Sequence, residues 1–162
     1  MSHFMRAHGF SPGPTQRPLT TGAIAGAIGG LLTIPLMSYS GAIASLADSV
    51  GSNIAVVLPC YIIAFAIFGI IYGAVFRRAA NDHRGGWLFG ISYGFLTWMF
   101  APTFALRVIL ERSVASGVPA LGFIGAHLVF GFFLGLLFPP IHHYIQRRHF
   151  VTEIRLEQQA HP

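Results

Sequence analysis

One imidazole sits at a depth where ionisable groups are rare. His127 lies in the uncharged run G-A-H-L-V-F-G, about a third of the way into the last apolar segment of the chain. A titratable side chain placed there is costly in hydrocarbon, usually faces a helix bundle, and often marks a pathway or a cofactor. A neutral imidazole could ligate a haem iron or a bacteriochlorophyll magnesium, relay protons, or bond a backbone carbonyl on a neighbouring helix. The chain offers no second intramembrane histidine, so a metal at His127 would be five-coordinate or shared with another subunit. The spacing from His127 to Gly131 and Gly135 puts the imidazole on a small-residue face rather than toward lipid.

Further polar side chains interrupt the apolar segments. Thr33, Tyr93 and Thr97, with Ser38, Tyr39, Ser92 and Thr103, could form a polar lining. Pro35 and Pro102 lie in corresponding segments, where each removes a backbone donor and is expected to interrupt its helix. Matched breaks in two halves of a chain are a pointer to a transporter site. No carboxylate lies within a segment to couple protons, because Asp48 and Glu111 belong to the loops. His3, His8, His83, His142, His143 and His149 could cluster on one side of a membrane, but their spacing matches no zinc pattern and suits interface residues better. There is no His-Glu-x-x-His motif, Walker loop or paired aspartate, and G-I-S-Y-G at Gly90 lies inside an apolar segment. The chain therefore reads as a non-enzyme.

Four stretches position these groups: Pro18–Ala47, Ile54–Phe76, Trp87–Leu106 and Ala120–Ile141. Each is long enough to cross the roughly 30 Å hydrocarbon core of a bilayer as a helix. Hydrophobic residues make up 54% of the chain and charged ones 9%, a balance that would leave a soluble domain short of polar surface. All ten basic residues are arginines and they lie at segment edges, which suits lipid headgroups and speaks against nucleic acid. Cys60 is the sole cysteine, so no intramolecular disulfide forms. Arg6 and Arg17 precede the first segment, Arg77, Arg78 and Arg84 fill the middle loop, and Arg147, Arg148 and Arg155 follow the last. By the positive-inside rule the expected topology is four spans in the inner (plasma) membrane, with both termini cytoplasmic. Residues 1–17 read as a flexible arm rather than a cleavable signal peptide. Residues 142–162 read either as an interfacial helix or as a solvated continuation of the fourth span.

The glycines carry a repeat. Gly22, Gly26, Gly30 and Thr33 align at one offset with Gly86, Gly90, Gly94 and Thr97, and Gly69 and Gly73 align at a closely similar offset with Gly131 and Gly135. We expect a duplicated hairpin, residues 18–78 and 87–141, joined by a cytoplasmic loop over 79–86. Each unit has an even number of spans, so the two would be parallel repeats in an all-α bundle. Glycines four apart share a helix face and let another helix approach closely, which assigns all ten to helix packing. In this alignment the counterpart of His127 is Phe65.

The Gly-rich first segment, W-L-F-G-I-S-Y-G-F-L-T-W at Trp87–Trp98 and A-H-L-V-F-G-F-F-L-G at Ala126–Gly135 together resemble a diffuse group of small bacterial four-span membrane proteins without assigned activity. That resemblance covers Thr20 to His143 and implies a fold and no catalytic residue. From the residues themselves the expected role is an accessory subunit of a larger membrane complex, with electron transfer (respiratory or photosynthetic) the favoured setting. Its partners would be lipids and other membrane subunits, and its apolar faces would meet lipid, quinone or pigment. The alternative is a small homo-oligomeric transporter or channel built from the duplicated hairpins.

Overall fold

The computed structural model describes residues 17–80, 85–109, 111–112 and 115–160, and among them every regular element is helical. Helix α1 spans Pro18–Tyr39, with proline in its first turn, where a missing amide costs nothing. Its 22 residues rise about 33 Å, enough for one crossing. The expected first segment does not continue unbroken to Ala47. Gly41 adopts φ 72°, a left-handed conformation that side-chain-bearing residues avoid, and the chain turns there into the short helix α2, Ala42–Val50. Helix α3 spans Ile54–Ala80. Asn53 Oδ1 accepts the amide of Val56 at 3.0 Å and so caps its first turn.

Helix α4 spans Gly86–Trp98 and passes directly into a π-helical segment, Met99–Ile109. The switch falls just ahead of Pro102. In an α register Pro102 would owe an amide to the carbonyl four residues back, whereas a π register reaches one residue further and lets that carbonyl look past the proline. Pro35, by contrast, does not interrupt α1, which continues through it to Tyr39. Helix α5 runs from Val118 to Ala160 through Pro139 and Pro140, so the tail continues the fourth span as one helix. Four helical stretches are long and apolar enough to cross a membrane: Pro18–Tyr39, Ile54–Phe76, Gly86–Ile109 and Val118–Arg147. The chain is a multi-pass membrane protein by length and composition. The arm over residues 1–16, the histidines at 3, 8 and 83, and Arg84 lie outside the described residues.

Helices α1 and α5 are the central pair, with α3 packed on α1 and α4 packed on α5. The α1–α3 and α4–α5 seams are built in the same way. A Cβ on Gly73 would meet the carbonyl of Pro18, one on Gly22 the carbonyl of Gly69, and one on Gly26 the carbonyl of Phe65. In the other pair the same substitutions at Gly135, Gly90 and Gly94 would meet the carbonyls of Gly86, Gly131 and His127. The backbones touch where side chains are missing, so dispersion and weak Cα–H···O contacts supply the cohesion that lipid cannot. In contact terms Gly22 answers to Gly90 and Gly26 to Gly94, one helical turn away from the sequence alignment. Glycines repeating every four residues allow that slip, because each register presents the same bare face.

The α1–α5 interface is different in kind. Gly29 faces the Phe130 ring, Gly122 faces Ser40, and Gly125 faces Leu36, so a bulky side chain on one helix meets a gap on the other. Phe65, Phe130 and Phe138 are all but fully buried, and the Phe65 and Phe130 rings meet edge to face with centroids 4.3 Å apart. Between α3 and α4 contact is confined to the end nearest their connection. There Tyr93 donates to the Phe68 carbonyl at 2.7 Å, and Tyr72 packs against Tyr93 with centroids 5.2 Å apart. Toward the opposite end the two helices part.

Candidate ligand site at His127

The parting of α3 from the π-helical segment leaves a cavity of about 280 Å³. Tyr61, Phe65 and Phe68 line it from α3, and Pro102 and Leu106 from the π-helical segment. Phe123 and His127 of α5 and Leu46 and Val50 of α2 complete the lining. The wall is almost wholly apolar. Its position follows from local sequence: α3 carries bulky Tyr61 and Phe65 where a glycine seam would be needed to close the gap, and Pro102 sits in the facing wall.

His127 is 3% exposed. Its Nδ1 lies 2.8 Å from the carbonyl oxygen of Phe123, one turn earlier on the same helix. A carbonyl can only accept, so Nδ1 carries the proton and Nε2 keeps the lone pair. Nε2 makes no hydrogen bond among the described residues. The ring packs against Phe65, its counterpart in the other hairpin, with centroids 5.2 Å apart. Both residues give their backbone carbonyls to glycine seams, Phe65 to Gly26 and His127 to Gly94.

Tyr61 stands beside the same ring, its centroid 4.5 Å from that of Phe65. Its hydroxyl is 2.6 Å from Thr33 Oγ1, which itself donates to the Gly30 carbonyl at 2.6 Å. Thr33 has one hydrogen and has spent it on that carbonyl, so Tyr61 is the donor of the shared bond. Thr97 donates to the Gly94 carbonyl at 2.8 Å and is buried, away from Thr33 and from the cavity. Tyr93 is likewise satisfied by Phe68. Thr33, Tyr93, Thr97 and His127 thus do not converge on one polar surface. Ser38, Tyr39 and Ser92 are exposed on the outer face, and the side chain of Thr103 lies outside the described residues.

The ten glycines fall at the seams described above, Gly30 against the Phe65 side chain and Gly86 through its carbonyl against Gly135. Among the described residues no three His, Cys, Asp or Glu side chains gather to hold a metal ion. A His–backbone-carbonyl pair is the usual support for a metal-ligating imidazole, so His127 is the residue that would hold a metal here, through Nε2. A space of about 280 Å³ suits a single substituted ring and is too small for a whole tetrapyrrole. His142 is also buried, stacked on Phe138 at 6.2 Å with planes 12° apart, and its Nδ1 has no hydrogen-bond partner.

Sequence reasoning named Phe65 only as the counterpart of His127, and did not find Tyr61 or the cavity itself, nor Gly29, Gly122 and Gly125 at the central interface. The four-residue rhythm singles out the seams, and nothing so regular marks a gap. No protein-family model, curated protein or solved structure matches the chain.

Proposed function

We propose that this protein is an accessory subunit of a larger membrane complex, contributing packed helices and an apolar pocket that holds a lipid-soluble guest. The observation that carries this role is the fate of the intramembrane polar groups. Thr33, Tyr93, Thr97 and His127 each spend a hydrogen bond on a neighbour inside the bundle, and the cavity of about 280 Å³ that His127 lines is apolar. A transport path needs a row of polar groups turned toward water or substrate, and among the described residues Thr33, Tyr93, Thr97 and His127 do not form one. Exposed apolar side chains such as Ile63, Ile67 and Val75 on α3, and Phe100 and Val108 on the π-helical segment, are available to lipid or to partner helices.

An electron-transfer assembly is the version of this role that uses His127, whose free Nε2 faces a pocket of ring size. Matched seams in the two hairpins support a duplicated two-helix unit with parallel copies. Arginine placement supports cytoplasmic termini in the inner membrane. The test is to solubilise native membranes in mild detergent, capture the protein, and identify its companions by mass spectrometry. Stoichiometric redox or photosynthetic subunits are expected. Recovery of the chain alone, as a monomer or homo-oligomer, would instead favour the small transporter or channel.

A further inference from the structure

We propose that the cavity beside His127 binds a lipid-soluble molecule with an aromatic hydroxyl head, phenol or quinol in type, whose O–H donates to His127 Nε2. The proposal rests on the pocket-holding part of the function above, and does not need the partner complex.

The site is selective because of the hydrogens it lacks. His127 has committed its one N–H to the Phe123 carbonyl, leaving a lone pair on Nε2 of a side chain that is 3% exposed. Tyr61 has committed its O–H to Thr33, whose own hydrogen is committed to Gly30. The buried polar atoms on the wall are therefore acceptors. The Cys60 thiol, a weak donor, and Ser52 also line the cavity, but both residues are exposed, unlike His127 and Tyr61. A guest with only carbonyl or ether oxygens would set lone pair against lone pair and leave Nε2 unpaired. A guest with one O–H satisfies it. His127 lines the cavity beside Phe65 and Phe123, so a hydroxyl bonded to Nε2 leaves the apolar substituents to run along the wall between α3 and the π-helical segment. The ring is specified by the wall: Tyr61, Phe65 and Phe123 offer faces and edges for stacking, and about 280 Å³ lies near the lower end of small-ligand pockets. The oxidised, quinone form of a redox lipid fits this chemistry worse than its reduced form.

The test compares two probes of nearly equal shape, 4-nonylphenol and its methyl ether 4-nonylanisole. Each is titrated into the full-length protein in phosphatidylcholine nanodiscs, with histidine labelled with ¹⁵N. The phenol should move the Nε2 resonance of His127 upfield from its free-imidazole position at a concentration about tenfold below that at which the ether perturbs the site, the scale of one buried hydrogen bond. His127→Phe should bring the two probes to equal affinity while the pocket still takes them up, read as protection of Cys60 from maleimide. Equal binding by the wild type, preference for the ether, or no uptake of either probe would overturn the proposal, the last indicating that acyl chains or a partner helix fill the gap. Mass spectrometry of lipids that co-purify from native membranes then sorts the source. A quinol or another phenolic lipid upholds the proposal, and a guest without a ring hydroxyl sinks it. Failure here leaves the subunit pull-down unaffected, so the two readings fall separately.

Discussion

Thr33 and Tyr61 form a relay whose members are unequal. Tyr61→Phe removes a donor, yet Thr33 keeps its bond to Gly30, so the loss should be about 0.5–1.5 kcal/mol. Thr33→Val preserves shape but strands the tyrosine hydroxyl in an apolar wall, which should cost more, on the order of 1–3 kcal/mol. Unfolding in mixed micelles by SDS titration would rank them, and the double variant should cost less than the sum of the two. A reversed ranking would mean that the hydrogen runs the other way. His127→Phe should leave the fold intact, within about 1.5 kcal/mol, since it surrenders one neutral hydrogen bond and installs the residue that already occupies the equivalent seam position at Phe65. Its thermal melt in detergent is the check.

At the level of the helix, glycines in this chain have two separate jobs, and substitution should tell them apart. Gly90→Leu or Gly131→Leu would drive a side chain into the opposing backbone, and α4 should lose its place on α5. A disulfide engineered across that seam would then fail to form. Gly41→Ala meets nothing within 4 Å and pays only for its left-handed φ of 72°, about 1 kcal/mol. Pro102→Ala returns an amide to the backbone, so the π-helical stretch should relax toward an α register and change the residues that face the cavity, as backbone chemical shifts would report. The four apolar helices and their glycine faces were legible because each leaves a periodic or compositional trace. The bend at Gly41 was not, since Pro18–Ala47 is uncharged throughout and one glycine among many carries no label. Nor was the behaviour of the prolines: Pro35 and Pro102 look alike in sequence, but only the second lies beside a register change. The cavity was invisible for a deeper reason. It is made by two surfaces failing to meet, and Tyr61 and Phe65 read as ordinary apolar residues.

For the whole molecule, the two hairpins share one kind of glycine seam and are assembled unevenly. A two-fold exchange of hairpins would pair α4 with α3 as closely as α1 pairs with α5, but the second contact is tight along its length and the first opens at one end. The pocket lies where that exchange would have put an interface, and its single imidazole faces Phe65 across the bundle. Orientation is open to direct test: a fluorescent-protein fusion after residue 162 should glow, and an alkaline phosphatase fusion there should be inactive, while the reverse pair would invert the topology.

The central position of α1 also bears on the order in which the protein is made. Its Gly22–Gly26 face can close on α3 as soon as the first hairpin leaves the ribosome, but its Gly29 face awaits Phe130, the last span to be synthesised. A nascent chain halted before Val118 would thus hold a finished first hairpin with a bare furrow along one side and an α4 without its partner. The earliest of these four spans to be made is among the last of them to be fully covered, and a membrane quality-control protease would find that furrow in every truncated copy.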